Sequence, residues 1–285
     1  LMTFVLHPAL NCPIDGMPLM MDGISLVCEY GHRFDIARQG YVNLLSATDK
    51  RSKDPGDSKD MVSARAAFLR SDFYRPLADA CLDITLEYCS GVDLEHITLM
   101  DAGCGDGYFL HHIQENLSNY SCKQTSLVGF DISKWAMKKS ARRCEGTWFV
   151  GSNRNIPMTD ASVDLLFDIF GFPDYTSFGR VLAPHGRLVR LTPGHSHLIQ
   201  LREIIYANVK QKSERKAYPE TLRTLSQERI TYEVTLRSED IINLLLMTPH
   251  MYRSTSERRQ HALNYDQLTV TVDAMLEELI PAAFC

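Results

Sequence analysis

From about residue 95 the chain alternates between two kinds of apolar patterning. Continuous apolar runs over 97–101, 126–131, 147–151 and 163–170 read as buried strands, and apolar residues at helical spacing over 108–117 and 133–143 separate the first three. Strands and helices in this rhythm build a parallel, doubly wound α/β sheet. A strand over 187–191 and a helix over 196–206 extend the series, and 231–236, 238–247 and 267–272 close it as strand, helix and strand.

Upstream the rhythm changes. Met61, Ala64, Phe68 and Leu69 recur at helical spacing, and Leu77, Ala80, Leu82 and Ile84 predict a second helix after Pro76. Before them, 46–58 is polar and punctuated by Pro55-Gly56, which reads as a connection. Residues 8–45 carry turn residues and little helical periodicity, as a small β-rich module would. The expected division is 1–45, an N-terminal module; 46–94, linker and helical lead-in; and 95–285, the main α/β domain.

Composition narrows the class. A chain of 285 residues, 45% hydrophobic and 23% charged, supports one sizeable core with a smaller module appended. No apolar run reaches the roughly 18 residues a membrane span needs, and the first ten residues lack a basic leader, so no membrane partner and a cytoplasmic location are expected. Eight scattered cysteines read as small buried hydrophobes rather than a disulfide framework. A net charge of -5 gives no global sign of nucleic-acid binding, and the basic clusters at 50–53, 142–143 and 210–216 are short enough to be solvated faces.

The candidate chemistry begins where the first strand ends. Asp101 leads into Gly103-Cys104-Gly105-Asp106-Gly107 and then a helix, a strand-to-helix turn whose glycines allow angles and ligand approach closed to other residues. Dinucleotide enzymes use a related turn, but carboxylates at Asp101 and Asp106 suit a cationic amino group better than a diphosphate. The second strand ends at Asp131-Ile132, where a carboxylate can accept ribose hydroxyls. The third supplies Ser152 and Asn153, resembling the adenine-facing segment of class I methyltransferases. Together these predict a Rossmann-like domain binding S-adenosylmethionine (SAM) through Asp101, Gly103, Gly105, Asp106, Gly107, Asp131, Ile132, Ser152 and Asn153.

In the module, Cys12 with Asp15 and Cys28 with His32 have the paired spacing of a small zinc ribbon, with an aspartate where a cysteine would be expected. Zinc and a metal-free ribbon both remain open. These residues, with Gly31-His32-Arg33-Phe34-Asp35, Gly40-Tyr41-Val42-Asn43-Leu44-Leu45, the 50–58 segment, Ala64-Arg65, Phe68-Leu69, Tyr74-Arg75-Pro76-Leu77, the glycine turn, Thr192-Pro193-Gly194 and His197-Leu198, make nearly the whole chain similar to the bacterial 23S rRNA guanine-N1 methyltransferases, the family that includes the tylosin-resistance methyltransferase. The resemblance implies SAM contacts at Tyr74, Gly105, Asp106 and His197, zinc ligands at Cys12, Cys28 and His32 with Asp15 in the fourth position, and 23S rRNA as partner. A homodimer is left open.

The chain departs from that pattern after the fourth strand, where it reads Phe170-Gly171-Phe172-Pro173-Asp174-Tyr175 in place of a small residue and Pro-Cys. Removing the guanine N1 proton calls for a base, and Asp174 and Asp168 are the candidates, with helix capping and a structural role as their alternatives. Phe172 and Tyr175 are candidate stacking platforms for a splayed base. The resemblance implies rRNA guanine as the acceptor, and the departures at Asp15 and Phe172-Pro173-Asp174 with the acidic net charge make a small molecule the alternative; a noncatalytic SAM-holding RNA-binding protein is a third reading.

Overall fold

The computed structural model describes residues 4–46, 48, 50, 52–117, 124–207, 209, 217–248 and 254–282. The expected basic cluster at 210–216 and Arg51 lie outside them. In chain order the elements are β1 (Met20–Asp22), β2 (Ser25–Val27), β3 (Arg33–Asp35), β4 (Val42–Asn43), α1 (Lys59–Arg70), α2 (Arg75–Gly91), β5 (His96–Ala102), α3 (Tyr108–Leu117), β6 (Gln124–Asp131), α4 (Lys134–Arg143), β7 (Thr147–Val150), β8 (Val163–Ile169), α5 (Tyr175–Val181), β9 (Leu182–Pro193), α6 (Ile199–Ile205), β10 (Leu222–Arg237), α7 (Ser238–Met247), α8 (Ser256–Leu263) and β11 (Gln267–Pro281).

β1, β2 and β3 form a small antiparallel sheet, and the remaining strands make one sheet in the order β10-β11-β9-β8-β5-β6-β7-β4. β4 through β9 run parallel within it, and β11 inserts antiparallel between β9 and β10. β5 is buried along all but its first residue, as a parallel strand covered on both faces must be. β10 and β11 extend well beyond the 231–236 and 267–272 read from apolar pattern. In β10 the reason is exposure, since Arg223 to Arg229 face solvent and show no apolar alternation, whereas in β11 buried acids, Asp273, Glu277 and Glu278, interrupt the apolar run.

The N-terminal module does not stand apart from the sheet. β4 pairs with β7 through Val42 and Phe149, the Leu44 amide donates to the Val150 carbonyl at 3.0 Å, and the Asn11 amide donates to that of Pro157 at 2.8 Å. Leu10, Cys12, Leu26 and Cys28 share one buried apolar cluster with Phe130, Phe149 and Met158, so the module covers one face of the sheet. The helices α1, α2, α3 and α4 bury Phe68, Leu77, Tyr88 and Trp148 in the cluster on the other face. The six cysteines among the described residues are free and buried. No helix among those residues is long and apolar enough to cross a membrane.

The connection at 54–58 is pinned to the end of β6. Ser133 caps α4 and also donates from its hydroxyl to the Asp57 carbonyl at 2.6 Å, while the Trp135 indole donates to Asp54 at 3.0 Å. Gly56, at φ +79°, leaves no room for a side chain: a Cβ would come within 2.7 Å of Ile132 Cγ2 and 2.9 Å of the Ser133 amide nitrogen.

Candidate active site and metal centre

Ligands of doubly wound sheets bind beyond the carboxyl ends of the strands, where the strand order reverses. Here that crevice is a cavity of about 1200 Å³ above β5, β6 and β8. Gly103 and Gly105 bend the chain through left-handed angles, φ +81° and +57°, and the Gly103 and Cys104 amides donate to the Phe130 carbonyl. A Cβ on Gly103 would meet nothing within 4 Å, because that face opens into the cavity. Gly107 has a different task. It does not line the cavity; its Cα face lies against Ser140 of α4, where a Cβ would be at 3.2 Å, so this glycine allows the close packing of α3 on α4.

The floor is acidic. Asp101 and Asp106 are buried, and each leaves one carboxylate oxygen without a hydrogen-bond partner. Burial, and then the neighbouring Asp168, Asp131 and Asp106, push the Asp101 carboxyl well above the usual range. Asp106 is paired on its other oxygen with Arg143. Asp131, also raised by burial, accepts from the Ser133 amide at 2.8 Å and the Gly105 amide at 3.1 Å. Each of its oxygens keeps a second lone pair. Carboxylates gathered around a cavity with orphaned oxygens are completed by a cation carrying hydroxyl donors. SAM, with its ammonium, sulfonium and ribose, meets that requirement, and a diphosphate does not.

Ser152, Asn153 and Ile132 line the cavity beside Asp131, and the lead-in supplies the opposite wall through Gly56, Asp57, Met61, Arg65, Leu69 and Tyr74. Gly56 and Asp57 of the connection therefore form part of the cavity wall. At the mouth, the Asp273 amide donates to His197 Nδ1 at 3.2 Å, which leaves the ring proton on Nε2, 3.2 Å from the buried Tyr74 hydroxyl. Phe170, held at φ +52°, closes this aromatic group, 5.7 Å from Tyr74 and 5.5 Å from His197 between ring centres.

The two candidate bases have other duties. Asp174 caps α5, accepting from the Ser177 amide at 3.0 Å, and does not line the cavity. Asp168 is fully buried and accepts from Arg190 Nε at 2.8 Å; that guanidinium also donates to Tyr175 at 2.7 Å. The cap engages Asp174 away from the cavity, whereas the pairing with Arg190 engages only one oxygen of Asp168 and leaves Oδ1 buried without a hydrogen-bond partner, against Gly171 of the cavity wall. Tyr175, whose hydroxyl accepts from Arg190, does not line the cavity. Phe172 stands differently: it lines the cavity rim, 88% exposed, with its carbonyl held by Asn153 Nδ2 at 2.6 Å.

Sequence reasoning overlooked Arg65, Phe170 and Met247, which also line the cavity. For Arg65 a signal existed. It lies four residues from Met61 and four from Leu69, a charge set into the apolar stripe of α1.

In the module, donor atoms of Cys12, Asp15, Cys28 and His32 lie within 4.8 Å of one another. Tetrahedral zinc with bonds of about 2.0–2.3 Å sets its ligand atoms roughly 3.3–3.8 Å apart. Cys12 to His32 is 3.7 Å, Cys28 to His32 3.4 Å and Cys28 to Asp15 3.1 Å, while His32 and Asp15 are in direct contact at 2.7 Å. The Met17 amide fixes the other Asp15 oxygen at 2.9 Å. Burial, reinforced by hydrogen bonds to Asp15 and Cys28, holds the Cys12 thiol up at about 11. The four donors fit a closed structural zinc site, with no open position for catalysis.

An antiparallel strand inserted beside a parallel sheet, a glycine turn over carboxylates and Asp131 at the end of the next strand define a class I SAM-dependent methyltransferase. Comparisons with known proteins carry this further. Residues 99–188 match the methyltransferase domain profile and residues 10–53 the zinc ribbon described as RlmA, N-terminal. The candidate 23S rRNA (guanine-N1) methyltransferase YxjB of Bacillus subtilis (strain 168) is 30% identical over 276 residues, 92% of this chain and 94% of that one. A Micromonospora griseorubida protein of the same provisional activity is 33% identical over 220 residues, 69% of each chain. The 23S rRNA (guanine(748)-N1) methyltransferase of Streptomyces fradiae is 34% identical over 194 residues, 67% of this chain and 66% of that one. The chain belongs to the family of 23S rRNA guanine-N1 methyltransferases.

Proposed function

We infer that this methyltransferase modifies N1 of a guanine in 23S rRNA. The observation that carries the reading is one continuous cavity running from the glycine turn to the exposed ring of Phe172. Its volume exceeds the roughly 300–1000 Å³ of a typical small-ligand pocket, leaving space for a flat acceptor beside the cofactor. The names of the relatives support rRNA as the source of that acceptor.

When bound, SAM supplies a methyl group on a cationic sulfonium that can pass in line to a nucleophile. In this reading Asp101 and Asp106 face the ammonium, Gly103 and Gly105 allow the backbone close approach, and Asp131 accepts the ribose hydroxyls. Ile132, Ser152 and Asn153 border the adenine, and Tyr74 with His197 closes the methionine end. Phe172 stacks the splayed guanine and holds N1 in line with the methyl carbon, so that the N–C bond would form as the S–C bond breaks to leave a neutral thioether, with the N1 proton passing to Asp168 through its unpaired Oδ1. The ribbon, its zinc held by Cys12, Asp15, Cys28 and His32, and Lys50 and Lys53 of the connection help to seat the RNA. An rRNA substrate puts the reaction in the cytoplasm.

Incubating the protein with labelled SAM and unmodified 23S rRNA, then mapping the methylated nucleotide by mass spectrometry, tests the reading. A single N1-methylguanine is expected. Tight SAM binding with no label in RNA would overturn it in favour of a small-molecule acceptor.

A further inference from the structure

The floor of the cavity accounts for the positive end of the cofactor's amino acid and leaves its negative end without a partner. A carboxylate placed over Asp101, Asp106 and Asp131 would be repelled by all three, so the site needs a cation on its opposite wall. Among the described residues two arginines line the cavity, Arg65 and Arg202. Arg202 Nη1 is turned to the carbonyls of His195 and His197, at 2.9 and 3.4 Å.

Arg65 is placed for the task. A Cβ on Gly105 would lie 3.5 Å from Arg65 Cδ and 3.6 Å from its Nη1, so the guanidinium hangs directly over the glycine turn. Asp57 holds Nη1 at 2.5 Å, and the Met247 carbonyl at the end of α7 accepts from Nη2 at 3.1 Å. These contacts fix the fork from two sides and use two of its five N–H donors. The Arg65 charge also reaches the Asp131 and Tyr74 side chains, favouring the ionised form of both against the larger effect of burial. Met61 and Leu69, one helical turn before and after it, line the same wall, so Arg65 with its partner Asp57 is set in an otherwise apolar helix face.

We propose that Arg65 binds the α-carboxylate of the SAM methionine moiety, completing a site in which ammonium and carboxylate are read from opposite walls. The inference rests on the cofactor site assigned above and is independent of the acceptor. Because Arg65 also holds Asp57 and the last carbonyl of α7, the cofactor would be bound by a residue that ties the pinned connection to the C-terminal helix.

The test is a cycle between protein and ligand, read as dissociation constants by calorimetry. Wild-type protein and the Arg65→Met and Arg65→Lys variants are each titrated with SAM and with decarboxylated SAM, which keeps the sulfonium and the amine. Wild-type protein is expected to prefer SAM by about 10- to 100-fold, the range for a hydrogen-bonded charge pair. Arg65→Met should lose most of that preference by weakening SAM binding alone, and Arg65→Lys should retain part of it. Equal affinity of wild-type protein for the two ligands overturns the proposal without any variant, as does an undiminished preference in Arg65→Met. Failure of wild-type protein to bind either ligand would overturn the cofactor site itself.

Discussion

At the scale of single residues, the carboxylates of this protein divide by what they touch. Asp174 and Asp168 looked alike in the sequence, each near the end of the fourth strand. The structure gives one to the first turn of α5 and the other to Arg190, a partner 22 residues away. A cap and a base can be told apart by substitution, because asparagine caps well and cannot accept a proton in the reaction. Asp174→Asn should therefore keep both kcat and Tm, while Asp174→Ala should keep kcat and lose about 1 kcal/mol of stability. A large fall in kcat for Asp174→Asn in a methylation assay would return it to catalysis. Asp101, Asp106 and Asp131 were legible because a glycine turn and strand ends locate them by spacing alone. The roles of Asp168 and Asp174 were not, since they depend on partners set by packing.

Between elements, the connection at 54–58 and the end of β6 behave as one piece. Gly56 permits it, so Gly56→Ala should strain both the backbone and the contact with Ile132, lowering stability by about 1–3 kcal/mol and weakening SAM binding; thermal melts and calorimetry would show both. The sequence offered Pro55-Gly56 as a loop, correctly, yet nothing in a loop's composition says what it is tied to. At the other end of the site, Asp273 of β11 holds β9, β10 and the 194–196 turn together. Arg229, with Nε at 2.8 Å and Nη2 at 3.0 Å, together with the Ser196 amide and Thr231, draws its carboxyl down to about 2. A carboxyl depressed in the fold stabilises above its unfolded value near 3.9, and that contribution is lost as pH falls through about 2. Wild-type protein should therefore lose at most about 2 kcal/mol from this contact between pH 4 and 2, less because Arg229 is half exposed. Asp273→Asn should show a shallower acid transition in the same range, and an unchanged slope would remove the contact from the account.

For the whole molecule, the ribbon and the sheet are one structure, since β4 closes the edge beside β7 and the ribbon's cysteines share a core with Phe149. The sequence showed the ribbon through its ligand spacing and the sheet through its periodicity. It could not show their union, which rests on two residues of β4 and on bridges such as Leu10 to Met158. Removing zinc with a chelator should therefore lower the Tm of the entire chain in a single transition rather than release a small early one. Asp15→Cys, supplying a softer ligand, should raise zinc affinity in competition titrations and make the protein harder to strip. A separate low-temperature transition on chelation would show two independent units instead.

The pairing of Val42 with Phe149 also sets a timetable. The ribbon leaves the ribosome long before its neighbour in the sheet, which follows about a hundred residues later, and closing so long a loop is entropically costly and slow. During that interval the four metal donors are already complete while the edge they will border does not exist. Metal loading on the nascent chain can thus precede assembly of the catalytic sheet, while the apolar core the ribbon shares with Phe130, Phe149 and Met158 is completed only when those residues arrive.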